Sequence, residues 1–199
     1  MPKPLLSARY RVVVRDVQGR IKRIEEAPSK SFILNFLYMW WLGLNLNSTD
    51  TISVVNSSGQ QTAIQLAQSM QWYQFADGGA SPYSGIQVGS GTSSPSASSP
   101  YLESLILNGT GSGQLVYGSN TVTSPSLSSN PGTITVTNTF TNNSGGSVTV
   151  GEIGLATNTM NPGASVYGAA LLIHDVLSSA ASVPNGGSIT VTYTMQVNT

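Results

Sequence analysis

Cysteine is absent, and one histidine, His174, stands among 199 residues. The first absence excludes disulfides, thiolate nucleophiles and cysteine-ligated zinc, and a single imidazole leaves no ordinary zinc ligand set. Charge is also scarce, at 8% of residues against about 25% in an ordinary globular domain. Ser, Thr, Asn, Gln and Gly fill the deficit. The chain still does not read as a disordered polymer, because its formal net charge is zero and 39% of its residues are hydrophobic. Its length admits one large domain or two small ones.

Lys and Arg are missing altogether after residue 30. The eight cations are Lys3, Arg9, Arg11, Arg15, Arg20, Lys22, Arg23 and Lys30; with Asp16, Glu25 and Glu26 they give the first 30 residues a net charge of +5. The remainder holds five acids, Asp50, Asp77, Glu103, Glu152 and Asp175, and no cation. This body cannot form a Lys or Arg salt bridge within itself. Its stability is therefore expected to rest on burial, backbone ladders and hydroxyl or amide hydrogen bonds, with little cost when its carboxylates are protonated. It also offers trypsin no site, which suits an extracellular or harshly exposed protein. The basic arm has two readings: attraction to an acidic partner, or a solvated strand pair whose charges protect a sheet edge. Nucleic acid is disfavoured as the partner, because Tyr10 is the one aromatic residue interleaved for stacking.

The pattern of the arm predicts a β-hairpin over residues 9–25. Val12, Val13 and Val14 lie in one alternating run, Ile21 and Ile24 in the other, and Asp16-Val17-Gln18-Gly19 is the turn between them. Residues 31–46, SFILNFLYMWWLGLNL, read as a helix that is apolar nearly all round, with Ile33, Phe36, Leu37, Trp40 and Leu44 on one face. Asn35 and Asn45 interrupt the run, and it is short for a membrane span. The long mixed-charge region before it is unlike that of a signal peptide. Burial at a subunit interface is the expectation.

Two short strands are expected within 51–76, joined by Asn56-Ser57-Ser58-Gly59, and a brief strand at Ile86–Val88. Gly89–Pro100, GSGTSSPSASSP, reads as a loop. Gln114–Thr123 reads as one strand. Thr133–Thr141, Ser147–Ala156, Val166–Leu177 and Ser188–Val197 read as strands separated by Gly, Asn and Pro turns, with Gly151 a candidate bulge. Such spacing predicts an all-β fold, a β-sandwich or jelly-roll-like domain with an N-terminal β-hairpin and one apolar α-helix.

The search for chemistry finds little. His174 and Asp175 are adjacent on a strand, so their side chains are expected on opposite faces and cannot form the acid–base pair of a catalytic triad; His174 then reads as a surface or partly buried structural residue. The acids are scattered. Asp77 and Glu103 can be imagined as a glycosidase pair, but their spacing does not support it. Glu152 reads as a half-buried carboxylate at a bulge. The Gly-rich stretches lack the Gly-Lys-Ser/Thr ending of a phosphate loop, and Asp77-Gly78-Gly79 is too short for a calcium site. Trp72 and Tyr73 could stack on a sugar ring, although core packing is the plainer reading. Asn47, Asn56, Asn108 and Asn142 each begin an Asn-x-Ser/Thr sequon, as chance allows in so polar a chain.

One resemblance stands beside this reading. IQVGSGTSSPSASSPYLES, TITVTNTFTNNSGGSVTVGEIGLA, LLIHDVL and VPNGGSITVTYTMQV, between Ile86 and Val197, resemble structural proteins of tailed viruses: a Gly-Thr-rich loop followed by turn-linked strands. The resemblance covers a little over half of the chain. It implies an accessory virion role in head, tail or fibre, and it brings no catalytic residues.

The resulting expectation is a non-enzymatic virion structural protein without a cofactor. Residues 1–46 would form a docking segment and 47–199 a β-sandwich body. The assembly interface would comprise Arg9, Arg11, Arg15, Arg20, Lys22, Arg23, Ile33, Phe36, Leu37, Trp40, Trp41 and Leu44. Its partners would be further copies of the chain, other virion proteins or an acidic protein surface, rather than nucleic acid or membrane. The alternatives are an extracellular cell-surface filament or adhesin subunit, and a carbohydrate-binding module using Trp72 and Tyr73.

Overall fold

The computed structural model describes residues 6–29, 31–33, 36–37, 51–56, 61–65, 84–99, 101–123, 132–161 and 166–197. They form an all-β protein of eleven strands. The strands are β1 (Leu6–Arg15), β2 (Ile21–Pro28), β3 (Thr51–Asn56), β4 (Gln61–Gln65), β5 (Gly85–Gly89), β6 (Val116–Tyr117), β7 (Thr121–Thr123), β8 (Gly132–Thr141), β9 (Val148–Asn161), β10 (Val166–Val183) and β11 (Ser188–Val197). The first sheet runs β2-β1-β11-β8-β6, with β7 also on β8; the second runs β4-β3-β10-β9-β5. Every pairing of these strands is antiparallel.

The alternation read from the sequence places the core. Tyr10, Val12 and Val14 on β1, Val136 and Phe140 on β8, and Ile189, Val191 and Tyr193 on β11 are all buried. They share one cluster with Ile86 and Val88 on β5, Val150, Ile153 and Leu155 on β9, and Ile173 and Leu177 on β10, so both sheets contribute to it. Each of the larger side chains gives about 1.5–3 kcal/mol on full burial. Tyr117 and Phe140 meet edge to face with ring centroids 4.6 Å apart, a favoured arrangement of ring quadrupoles.

The other face of the first sheet carries hydroxyls. Thr139 and Thr190 stand opposite each other, as do Thr137 and Thr192. Their Oγ1 atoms lie 2.9 and 3.0 Å apart, respectively. Such cross-strand pairs do for this cation-poor body what ion pairs do elsewhere.

Several expectations change. The division at residue 46 does not follow the strand pairing. β1 is laddered to β11 from Leu6–Val197 to Arg15–Ser188, so the hairpin is built into the first sheet rather than attached to it. Where the helix over 31–46 was expected to begin, Ser31–Ile33 runs extended along β10. The Ile33 N–H donates to Leu172 O at 3.0 Å, His174 N–H donates to Ser31 O at 3.2 Å, and Phe32 bridges Ile173. The exposed backbone edge of β10 outcompetes the helical pattern there. Most of the rest of that segment, including Trp40, Trp41 and Leu44, lies outside the described residues.

The expected strand 114–123 is two, β6 and β7, parted at Gly118, whose N–H bonds Thr139 O at 2.9 Å. The irregularity foreseen at Gly151 falls opposite it, on β10, where pairing jumps from Val176–Glu152 to Ala181–Val150. β9 and β10 also extend beyond the ends expected of them, to Asn161 and Val183.

Candidate functional site

The hairpin edge collects the charge. Ile24 and Glu26 lie opposite Val13 and Arg11, on the outer face of the sheet, while Arg23 and Glu25 lie opposite the core residues Val14 and Val12. Each of the three acids in this region is held by cations or backbone. Glu26 accepts from Arg9 at 3.4 Å and Arg11 at 2.6 Å. Asp16 accepts from the Arg20 guanidinium at 2.8 Å, with Lys22 Nζ at 3.7 Å. Its Oδ1 also takes the N–H groups of Gln18 and Arg20 at 3.0 Å each. Partial burial pushes the Asp16 carboxyl up, but these bonds outweigh it and leave the group below its ordinary range.

Arg23 and Glu25 fasten the hairpin to the outpocketing of β10. Arg23 pairs with Glu25 and donates to Ala180 O at 2.9 Å and Ser179 O at 2.7 Å. Glu25 accepts the Ser178 N–H at 2.8 Å and the Tyr10 hydroxyl at 2.9 Å. Burial raises the Glu25 carboxyl; the Ser178 N–H, Arg23 and Tyr10 together lower it further, so it stays ionised. The Tyr10 phenol is pushed well up, first by burial and then by its bond to Glu25. A cleft of about 450 Å³ opens here, lined among others by Tyr10, Glu25, Glu26, Pro95, Asp175 and Val176.

A second polar cluster lies inside. His174 Nε2 is 2.7 Å from Glu152 Oε2, and the two residues are 3% and 0% exposed. Glu152 also accepts the N–H groups of Gly91 (3.1 Å), Glu103 (2.9 Å) and Ser104 (2.7 Å). Burial raises this carboxyl, and the His174 and backbone bonds more than reverse the shift. Glu103 clamps the same loop from outside, accepting from Thr92 N–H, Ser93 N–H and Ser93 Oγ at 3.0, 2.9 and 2.8 Å. The loop passes so near that a Cβ on Gly91 would sit 2.6 Å from both Glu103 Oε2 and Glu152 Oε1. The glycines of GSGTSS thus serve close approach to a buried carboxylate.

His174 and Asp175 do point to opposite faces. Asp175 accepts the Tyr193 hydroxyl at 3.2 Å, on the core side away from Glu152. His174 is buried rather than at the surface, and Glu152 is wholly rather than half buried; the Glu152 carboxylate is met by His174 Nε2 and three backbone N–H groups. Among the described residues no three His, Asp or Glu side chains gather as a metal site.

The expected interface residues divide. Arg9, Arg11, Arg20 and Lys22 are exposed at the hairpin, and Leu37 is 60% exposed. Arg15 donates to Thr190 Oγ1 at 3.4 Å, and Arg23 is committed to β10. Ile33 packs with Leu102, Ala156 and Leu171 of its own chain, and Phe36 packs against the main core beside Phe32. Ile33 is thereby buried within its own chain, and Phe36 is partly buried. Asp77, Trp72 and Tyr73 lie outside the described residues. The Glu152–His174 latch was not foreseen from the sequence; its signal was a lone carboxylate in the otherwise apolar and glycine run Val150–Ala156, together with a glycine pair at 89 and 91.

Comparison with family models, with curated proteins and with solved structures finds no match for this chain.

Proposed function

We propose that the chain is a non-enzymatic structural subunit of a virion, an accessory capsid or tail component whose two sheets form a β-sandwich and whose N-terminal hairpin meets neighbouring subunits. The observation that carries the reading is the hairpin edge. It bears most of the chain's cations and leaves Val17, Ile21 and Ile24 at 62%, 53% and 50% exposure. Large apolar side chains ringed by charge are the ordinary composition of a contact surface. The buried polar groups support a structural role as well: Glu152, His174 and Asn142 are spent on loops and turns. Glu25 is held ionised, which suits an anchor rather than a general acid.

Density-gradient fractionation of a culture producing the chain tests this. Banding with particles at fixed stoichiometry supports the proposal. Recovery in an envelope or filament fraction favours a cell-surface filament subunit, and recovery as free protein overturns both.

A further inference from the structure

β2 ends the first sheet, and among the described residues no strand pairs with its outer side. The β5 edge of the second sheet is covered. On β5, the Ile86 N–H donates to Asn120 Oδ1 at 3.0 Å, and Val88 O accepts from Ile106 N–H at 3.0 Å. Open edges are usually defended by Lys, Pro and bulges, and β2 has some of each. Pro28 ends the strand, and the shift between Val14 and Arg15 leaves Lys22 in a bulge. The order of the charges, however, is Lys22-Arg23-Ile24-Glu25-Glu26. Defence by charge works because copies of an edge repel each other. This edge, reversed against itself, does the opposite.

We propose that β2 pairs antiparallel with β2 of a second copy about a two-fold axis through Ile24, joining the two first sheets into one. A two-fold axis normal to the sheet keeps each face continuous, so residues whose numbers are equally distant from Ile24 stand opposite. Ile24 meets Ile24 of the partner subunit, Lys22 meets Glu26 of the partner subunit, and Arg23 stands opposite Glu25 of the partner subunit while each keeps the bonds within its own chain. Ile21 lies beyond the bulge, on the outer face, and takes no part in this pairing. Every opposed pair across the five residues from Lys22 to Glu26 is then apolar with apolar or cation with anion, and opposed charges of this kind favour a pairing. Pro28 lies outside this stretch, so it costs no ladder bond. Arg11 and Arg9 already hold Glu26 in its extended position. The inference takes a second copy as partner from the assembly reading above and gives that contact a register.

The test uses the full chain with Lys22→Glu and, separately, Glu26→Lys, both at exposed positions, with circular dichroism confirming the fold. Sedimentation equilibrium of the unaltered chain should show a dimer. Each variant alone places like charges opposite at two symmetry-related points, and its dimer dissociation constant should rise roughly tenfold. An equimolar mixture of the two variants restores both pairs, and its association should return to near the unaltered value. A mixture no tighter than the separate variants, or variants that dimerise as well as the unaltered chain, overturns this register. If the chain bands with particles yet sediments as a single chain, the pairing is wrong and the subunit role stands. If it neither bands nor associates, both are wrong.

Discussion

Glu152 and His174 lie on neighbouring strands with Oε2 and Nε2 2.7 Å apart, and their contact closes a latch over residues 91–104. Three backbone N–H groups converge on the same carboxylate. Removing it strands those donors and the imidazole together. Glu152→Ala should cost about 3–5 kcal/mol, seen as a lowered urea midpoint. His174→Ala, which leaves the three N–H bonds in place, should cost less. Equal and small losses in both variants would show that the latch carries no stability.

Acid should destabilise the protein, against the expectation drawn from its lack of body cations. The folded-state pKa values of Asp16, Glu25, Glu103 and Glu152 are all depressed. A depressed carboxyl contributes stability that is present above its unfolded value and lost as pH falls through its folded value. The loss should therefore begin below the ordinary values of 3.8 for Asp and 4.5 for Glu. Urea midpoints measured between pH 7 and pH 2 check this, and the Glu152→Gln protein should show a shallower fall. A flat profile down to pH 2 would contradict the account.

Deleting residues 1–28 should abolish the native fold rather than release an intact body. The deletion takes Tyr10, Val12 and Val14 from the core and leaves β11 with an unpaired edge. Loss of near-ultraviolet dichroism and insolubility are expected; a soluble truncated protein with native dichroism would show that the hairpin is dispensable.

Asn142 is fully buried and ties two turns together. Its Nδ2 donates to Gly146 O at 2.8 Å and Val183 O at 2.7 Å, and its Oδ1 accepts the Ser144 N–H at 3.0 Å. Asn142→Ala should cost about 2–3 kcal/mol, because three partners lose their bonds at once. Thermal unfolding would measure it.

Much of the fold was legible because strand alternation is a local signal. The runs 9–15, 133–141 and 188–197 bury most of the residues that their period of two assigns to the core, among them Val12, Val136, Phe140, Ile189, Val191 and Tyr193, while Val197 at the end of β11 is 52% exposed. The turns at Asp16–Gly19 and Pro184–Gly187 fall where their Gly and Asn residues put them. What was not legible depends on partners distant in sequence. Ser31–Ile33 is extended because β10 offers it backbone bonds. The strand β1 joins β11, some 180 residues away, which no periodicity reveals. The hairpin's charges looked like a free basic arm in the sequence, whereas Asp16, Glu25 and Glu26 bind most of them. The self-complementary order of residues 22–26 is visible in the sequence, but it acquires meaning when β2 is found at a sheet edge.

The most direct measurement of the central claim is the native mass of the full chain by light scattering across a wide concentration range. A structural subunit that meets its neighbours through the hairpin should give a multiple of 20.8 kDa. A mass of one chain at every concentration, in a chain that also fails to band with particles, would contradict it.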